Sequence, residues 1–198
     1  MQGQAMELIV KRLESLGHQL SSYIALEFYA RMGDWQTQSY AKQVKELNAW
    51  EIDPLFEPQL RKNLPNAHIR IGDSFKIAQE EIYKEKFDFI VFDNPQNMYG
   101  EYCEHFEALP LVKKLLKTSG IVIFNINLSP FDYDKFPLWQ KRRSEYYSTE
   151  ARNLTPCFML NYYENFFNQE GFDVIFCFEE KRNQQYLSYL VFSLTKVI

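Results

Sequence analysis

The chain has 198 residues, 46% hydrophobic, 17% aromatic and 24% charged, a length that suits one domain and an apolar content that excludes a disordered chain. Lys and Arg number 22 against 26 Asp and Glu, for a formal net charge of −4. That balance argues against a broad nucleic-acid surface and leaves room only for a local basic patch.

Residues 5–17, AMELIVKRLESLG, place Met6, Ile9, Val10 and Leu13 at helical spacing with Gly17 as a stop signal, and predict a helix ahead of a sheet. No run approaches the roughly 20 apolar residues of a membrane span, and charges interrupt the apolar positions of the first residues, unlike a signal peptide. The reading is therefore a cytoplasmic protein with no membrane partner. Short apolar runs follow at 24–30, 47–53, 67–73, 87–94 and 120–127, each the length of a buried strand.

Between them, 35–46, 54–64, 74–86 and 101–120 mix polar and apolar residues over helical lengths. Strand alternating with helix predicts an α/β fold, a doubly wound parallel sheet with helices on both faces. Pro54 suits a first helical turn, whereas Pro58 and Pro110 weaken or kink their helices. The pattern breaks at 128–158, rich in aromatics and prolines, which reads as a cap or substrate lid. A helix near 158–170 then precedes two runs, 172–182 and 186–196, close enough to pair only as an antiparallel hairpin. Nothing marks a second domain, so 1–198 is one unit.

Cys103, Cys157 and Cys177 lack close pairing and read as buried reduced thiols. His18, His68 and His105 have no metal-ligand spacing and receive no role. No metal is expected.

Four carboxylates stand at successive strand ends: Glu27, Glu51, Asp73 and Asp93. Any one could merely cap the next helix. Their spacings, 51 − 27 = 24, 73 − 51 = 22 and 93 − 73 = 20, instead place all four on the sheet edge where open parallel sheets bind ligands.

Five strand-helix units and a terminal hairpin, with these acids in series, resemble the class I S-adenosylmethionine-dependent methyltransferases, Rossmann-like enzymes, over about residues 20–196. The first motif of that family, an acid followed by a glycine-rich loop, matches Glu27-Phe28-Tyr29-Ala30-Arg31-Met32-Gly33. Only Gly33 survives of its glycines, with Tyr29 and Arg31 standing in for others. The second motif falls on Glu51-Ile52-Asp53, the resemblance assigning Glu51 to the ribose hydroxyls. The third falls on Asp73-Ser74-Phe75, near an adenine, and the fourth on Asp93-Asn94-Pro95-Gln96, beside the transferable methyl. The resemblance thus implies S-adenosyl-L-methionine as cofactor, held by Glu27, Tyr29, Arg31, Gly33, Glu51, Ile52, Asp73, Ser74, Phe75 and Asp93. Asp93 and Asn94 would be the catalytic positions, with Asp93 either a base or a positioning group.

The implied activity is methyl transfer to an oxygen or nitrogen of a small-molecule acceptor. Rival readings are an aminopropyl transferase or NAD-linked dehydrogenase, which share the strand-two acid, and an inactive scaffold that keeps the fold. Asn94-Pro95 resembles the start of an amino-methyltransferase signature but reads more simply as a turn, with Tyr99 a displaced aromatic. The stretch 135–143, followed by Tyr146 and Tyr147, interleaves basic and aromatic residues as a nucleic-acid or phosphate contact would, and reads more simply as a solvated charge cluster beside packed rings. If functional, it selects the acceptor. The aromatic-rich strands and the segment 158–167 read as core or interface material, and the expected state is a monomer or a homodimer.

Overall fold

The computed structural model describes residues 3–93, 106–131, 133–182 and 186–197. Seven strands form one sheet: β1 Ile24–Glu27, β2 Glu46–Glu51, β3 His68–Ile71, β4 Phe87–Phe92, β5 Leu116–Asn127, β6 Phe172–Lys181 and β7 Leu187–Lys196. Their spatial order is β3-β2-β1-β4-β5-β7-β6. The first five run parallel, and β7 inserts antiparallel between β5 and β6. This is the expected architecture.

The side-chain period of two explains the layering. Leu26, Ile90, Phe92, Val122 and Phe124 point to one face. Ala25, Phe89, Val91, Ile121 and Ile123 point to the other. Because both faces are covered, the central strands are apolar throughout and not alternating. The first face carries α6 (Pro156–Gln169), which buries Met159, Tyr163 and Phe167. The second carries α1 (Gln4–Ser15), whose Met6, Ile9, Val10 and Leu13 form the expected apolar stripe. Arg12 of α1 also lies over the Phe178 ring, 3.8 Å from its centroid. Among the described residues no helix is long and apolar enough to cross a membrane.

Several connections are shorter than their sequences predict. The expected helix at 35–46 is a single 3-10 turn, Gln36–Ser39, because Thr37 and Tyr40 turn inward to the Glu27 carboxyl. The expected helix at 74–86 is one α turn, Ser74–Ile77, and a 3-10 turn, Glu81–Tyr83. At 54–64 a 3-10 turn, Pro54–Phe56, leads into Glu57–Asn63. Pro58 sits in the first turn of that helix, where a missing N–H costs nothing.

Of 101–120, residues 101–105 lie outside the described residues. The remainder is helical only at Leu109–Leu111 and Val112–Leu115 before β5 starts at Leu116. The strand starts early because Leu116 pairs with Phe87, Lys117 donates to Asp88 Oδ2 at 2.7 Å, and Gly120 lies against the Asp88 carbonyl. A Cβ at Gly120 would come within 2.5 Å of that oxygen.

The segment 128–158 contains a helix, Pro137–Tyr147, that sequence periodicity did not reveal. It buries Trp139, Arg143 and Tyr147. Arg143 therefore departs from the solvated cluster expected there: it donates to the Asn127 carbonyl at 2.7 Å and lies beside the Trp139 ring. Cys157 and Cys177 are free thiols, but Cys157 is exposed and Cys177 only half-buried, since Cys157 falls on the outer side of the first turn of α6. Cys103 lies outside the described residues.

Candidate functional site

In a parallel sheet all carboxyl-terminal strand ends meet at one edge. Here Glu27 closes β1 and Glu51 closes β2, while Asp73 follows β3 and Asp93 follows β4. All four line one cavity of about 350 Å³, within the size range of small-molecule sites. The four acids thus share one wall, as their even spacing along the chain implies.

The loop after β1 shows how a glycine-poor sequence reaches this edge. Ala30 N–H donates to the Trp50 carbonyl at 2.8 Å, and Arg31 N–H donates to Glu51 Oε2 at 2.7 Å. Arg31 adopts φ 48°, a left-handed conformation usually left to glycine, and its bond to Glu51 offsets that strain. Gly33 also has positive φ, 61°, and a Cβ there would meet Leu64 and Leu60 carbons at 2.7 and 2.9 Å. Gly33 is not on the cavity wall; it is a pivot that lets the loop lie against the helix Glu57–Asn63. Gln38 Nε2 reinforces the contact by donating to the carbonyls of Gly33 and Asn63.

Glu51 Oε1 also accepts from Asp53 N–H at 2.8 Å. One carboxylate thus ties the loop after β1 to the loop after β2, and each oxygen keeps a lone pair. Ile52 is a largely exposed rim residue. Asp73 caps the next turn by accepting from Phe75 N–H at 2.9 Å, Ser74 Oγ donates to the Phe28 carbonyl at 2.9 Å, and Phe75 packs edge-on to Phe28. Tyr29 leans on Phe28 and Phe92. Two buried polar atoms on the wall, Arg31 Nε and Gln36 Oε1, have no hydrogen-bond partner among the described residues. The Arg31 guanidinium sits between the rings of Trp35 and Phe56, 5.7 and 5.6 Å from their centroids.

The inner end of the cavity holds the strongest electrostatics. Glu27 is 1% exposed; its Oε2 accepts from Thr37 Oγ1 at 3.1 Å and from the Tyr40 hydroxyl. Burial, reinforced by the Asp93 charge, pushes its pKa from 4.5 up to about 8, against the two hydroxyl bonds and Arg182. Burial also raises Asp93, and Arg182 opposes that shift. Asp93 Oδ1 accepts from Arg182 at 2.5 Å and from Asn125 Nδ2 at 3.1 Å. The Tyr189 hydroxyl faces Asp93, and burial together with that carboxylate holds it well above the usual phenol range.

Sequence reading missed Thr37, Tyr40, Asn125, Arg182 and Tyr189. Thr37 and Tyr40 lay in a segment, 35–46, read as a helix connecting two strands. Arg182 follows β6, 89 positions from Asp93, and no local pattern announces such a pair. Asn94 lies outside the described residues, as do Pro95, Gln96, Asn97, Tyr99 and His105. Among the described residues no group of three or more His, Cys, Asp and Glu is placed to hold a metal ion.

No protein-family model matches the chain, and no curated protein matches it by sequence. Solved structures do. The chain is similar to M. jannaschii TYW2 in complex with AdoMet, at 16% identity and a TM-score of 0.58 over 100% of this chain and 78% of that one. It is also similar to Trm1 from Pyrococcus horikoshii with S-adenosyl-L-methionine, at 13% identity and a TM-score of 0.66 over 97% of this chain and 54% of that one. With the strand order and the antiparallel β7, these likenesses define the fold as the Rossmann-like fold of class I S-adenosylmethionine-dependent methyltransferases. Identities this low carry the fold and not the reaction.

Proposed function

We propose that the chain is an S-adenosylmethionine-dependent methyltransferase acting on an oxygen or nitrogen of a small-molecule acceptor. The observation that carries this reading is the single cavity on the methyltransferase fold into which Glu27, Glu51, Asp73 and Asp93 all converge. The residues fit the cofactor. Glu51 retains lone pairs for ribose hydroxyls, Asp73 and Phe75 offer a carboxylate and a ring to the adenine, and the unsatisfied Arg31 Nε and Gln36 Oε1 offer a donor and an acceptor. Carboxylates along one wall favour a cationic ligand.

Bound there, S-adenosylmethionine would supply an electrophilic methyl that an acceptor oxygen or nitrogen displaces in line, so the protein's contribution is mainly alignment. Asp93, already engaged by Arg182 and Asn125, orients the acceptor and is not a free base. Phe106 and the Arg142–Glu107 pair, at 3.0 Å on the same wall, give the acceptor side a ring and a second arginine. They also bring the helix Pro137–Tyr147 to the cavity, which supports 128–158 as the acceptor-selecting segment.

Isothermal titration with S-adenosylmethionine and its demethylated product tests the reading. The wild type should bind both, and Glu51→Ala should weaken binding about ten- to a hundredfold, the loss expected for hydrogen bonds to a charged group. No binding of either ligand, with Glu51→Ala indistinguishable from wild type, would sink it. Binding of NAD or decarboxylated S-adenosylmethionine in preference would point to the dehydrogenase or the aminopropyl transferase. Tight binding with no turnover on any acceptor pool would point to a scaffold.

A further inference from the structure

Glu27 and Asp93 occupy the ends of adjacent strands and share one cavity wall, but their partners differ in kind. Asp93, with 9% of its side chain exposed, has a full counter-charge in Arg182, itself 9% exposed. Among the described residues Glu27 has only hydroxyls, Thr37 Oγ1 and Tyr40 Oη. Hydroxyl donors soften burial of a carboxylate without neutralising it. The groups that face Glu27 are Thr37 and Tyr40 from the 36–40 turn, Asp93 beyond β4, Arg182 beyond β6, and Tyr189 of β7. Among these Arg182 is the one cation, and its short ion pair is with Asp93. Among the described residues the inner cavity is therefore one positive charge short whenever both acids are ionised.

We infer that Glu27 is the charge-selecting residue of this cavity: a cationic ligand entering it displaces the proton held by Glu27, so that cation binding and proton release are one equilibrium. This rests on the reading that the ligand is S-adenosylmethionine, which brings a sulfonium and an ammonium group. The elevated pKa of Glu27, about 8, supplies the proton at neutral pH. The direction follows from linkage: the complex favours ionised Glu27 and the free protein below pH 8 favours the protonated form, so affinity falls as pH falls.

Calorimetric titration of the full chain with S-adenosylmethionine at neutral pH, in phosphate and in Tris, reads the released proton directly. Buffer-dependent heats corresponding to release of close to one proton are expected. The dissociation constant should tighten about tenfold per pH unit up to about pH 8 and level off above it, the slope of a one-proton linkage.

Glu27→Gln, which accepts the same hydroxyl bonds, should still bind with a flat pH profile. It also separates this proton from any the ligand itself releases. Tyr40→Phe removes a bond that favours the ionised form and should move the break in the profile to higher pH, so it gives an independent check should Glu27→Gln fold poorly. Binding with buffer-independent heats, or a Glu27→Gln protein that releases the same proton, overturns the inference alone. No binding in any buffer overturns the cofactor reading and this inference together.

Discussion

Glu27 sets a pH dependence of stability as well as of binding. Its carboxyl ionises at about 8 in the folded state against an ordinary 4.5, so between those values the native protein keeps a proton that the unfolded chain has lost. The stability it contributes is fully present below about pH 4.5 and is lost as pH rises toward about 8, by up to ~1.4 kcal/mol per unit. Urea unfolding of wild type and Glu27→Gln across that window should show the wild-type advantage shrinking as pH rises. Arg182 makes a complementary case. Truncation to Met leaves Asp93 nearly buried without its counter-charge and should cost about 3–5 kcal/mol, with Asp93→Asn in the double variant recovering part of the loss. Equal stability of the Arg182→Met protein and wild type would show that the pair does not form in solution. Gly33→Ala places a methyl against Leu60 and Leu64 at a positive φ and should lower stability by about 1–3 kcal/mol in thermal unfolding.

Among the elements, α6 is held by one buried row. Thr155 caps it by accepting from Phe158 N–H, and Met159, Tyr163 and Phe167 face the sheet. Phe167 touches Phe124, Phe172 and Phe192, so Phe167→Ala should cost about 3–5 kcal/mol through the cavity it opens, read by denaturant unfolding. A helix near 158–170 was legible in the sequence, and it runs over Pro156–Gln169. The 3-10 turn Gln36–Ser39 was not legible, because its conformation serves a partner distant in sequence. In 3-10 geometry residues three apart eclipse, which aims Thr37 and Tyr40 together at Glu27. A helix-length polar segment carries no local sign of that demand. The helix Pro137–Tyr147 escaped for a related reason: its buried face contains Arg143, which reads as a surface residue until the Asn127 carbonyl and the Trp139 ring are seen around it.

For the molecule as a whole, the ligand edge joins the parallel strands to the terminal hairpin, since Arg182 and Tyr189 reach Asp93 from β6 and β7. A ligand there should stabilise the whole sheet. At a concentration a hundredfold above its dissociation constant, S-adenosylmethionine should add about 2.7 kcal/mol and raise Tm by roughly 5–10 °C for a domain of this size. A thermal-shift measurement at saturating cofactor checks it, and an unmoved Tm would count against the cofactor.

By itself the sequence determined the alternation of strands and helices, the terminal hairpin and the row of four acids, because side-chain periodicity and strand-end spacing are local consequences of backbone geometry. The tertiary structure alone decided what each acid does. Glu51 became the tie between two loops, Asp93 the partner of an arginine 89 positions away, and Glu27 the buried carboxyl held by two hydroxyls. Those roles depend on burial and on which distant groups share a low-dielectric space, and neither is encoded in the neighbours along the chain.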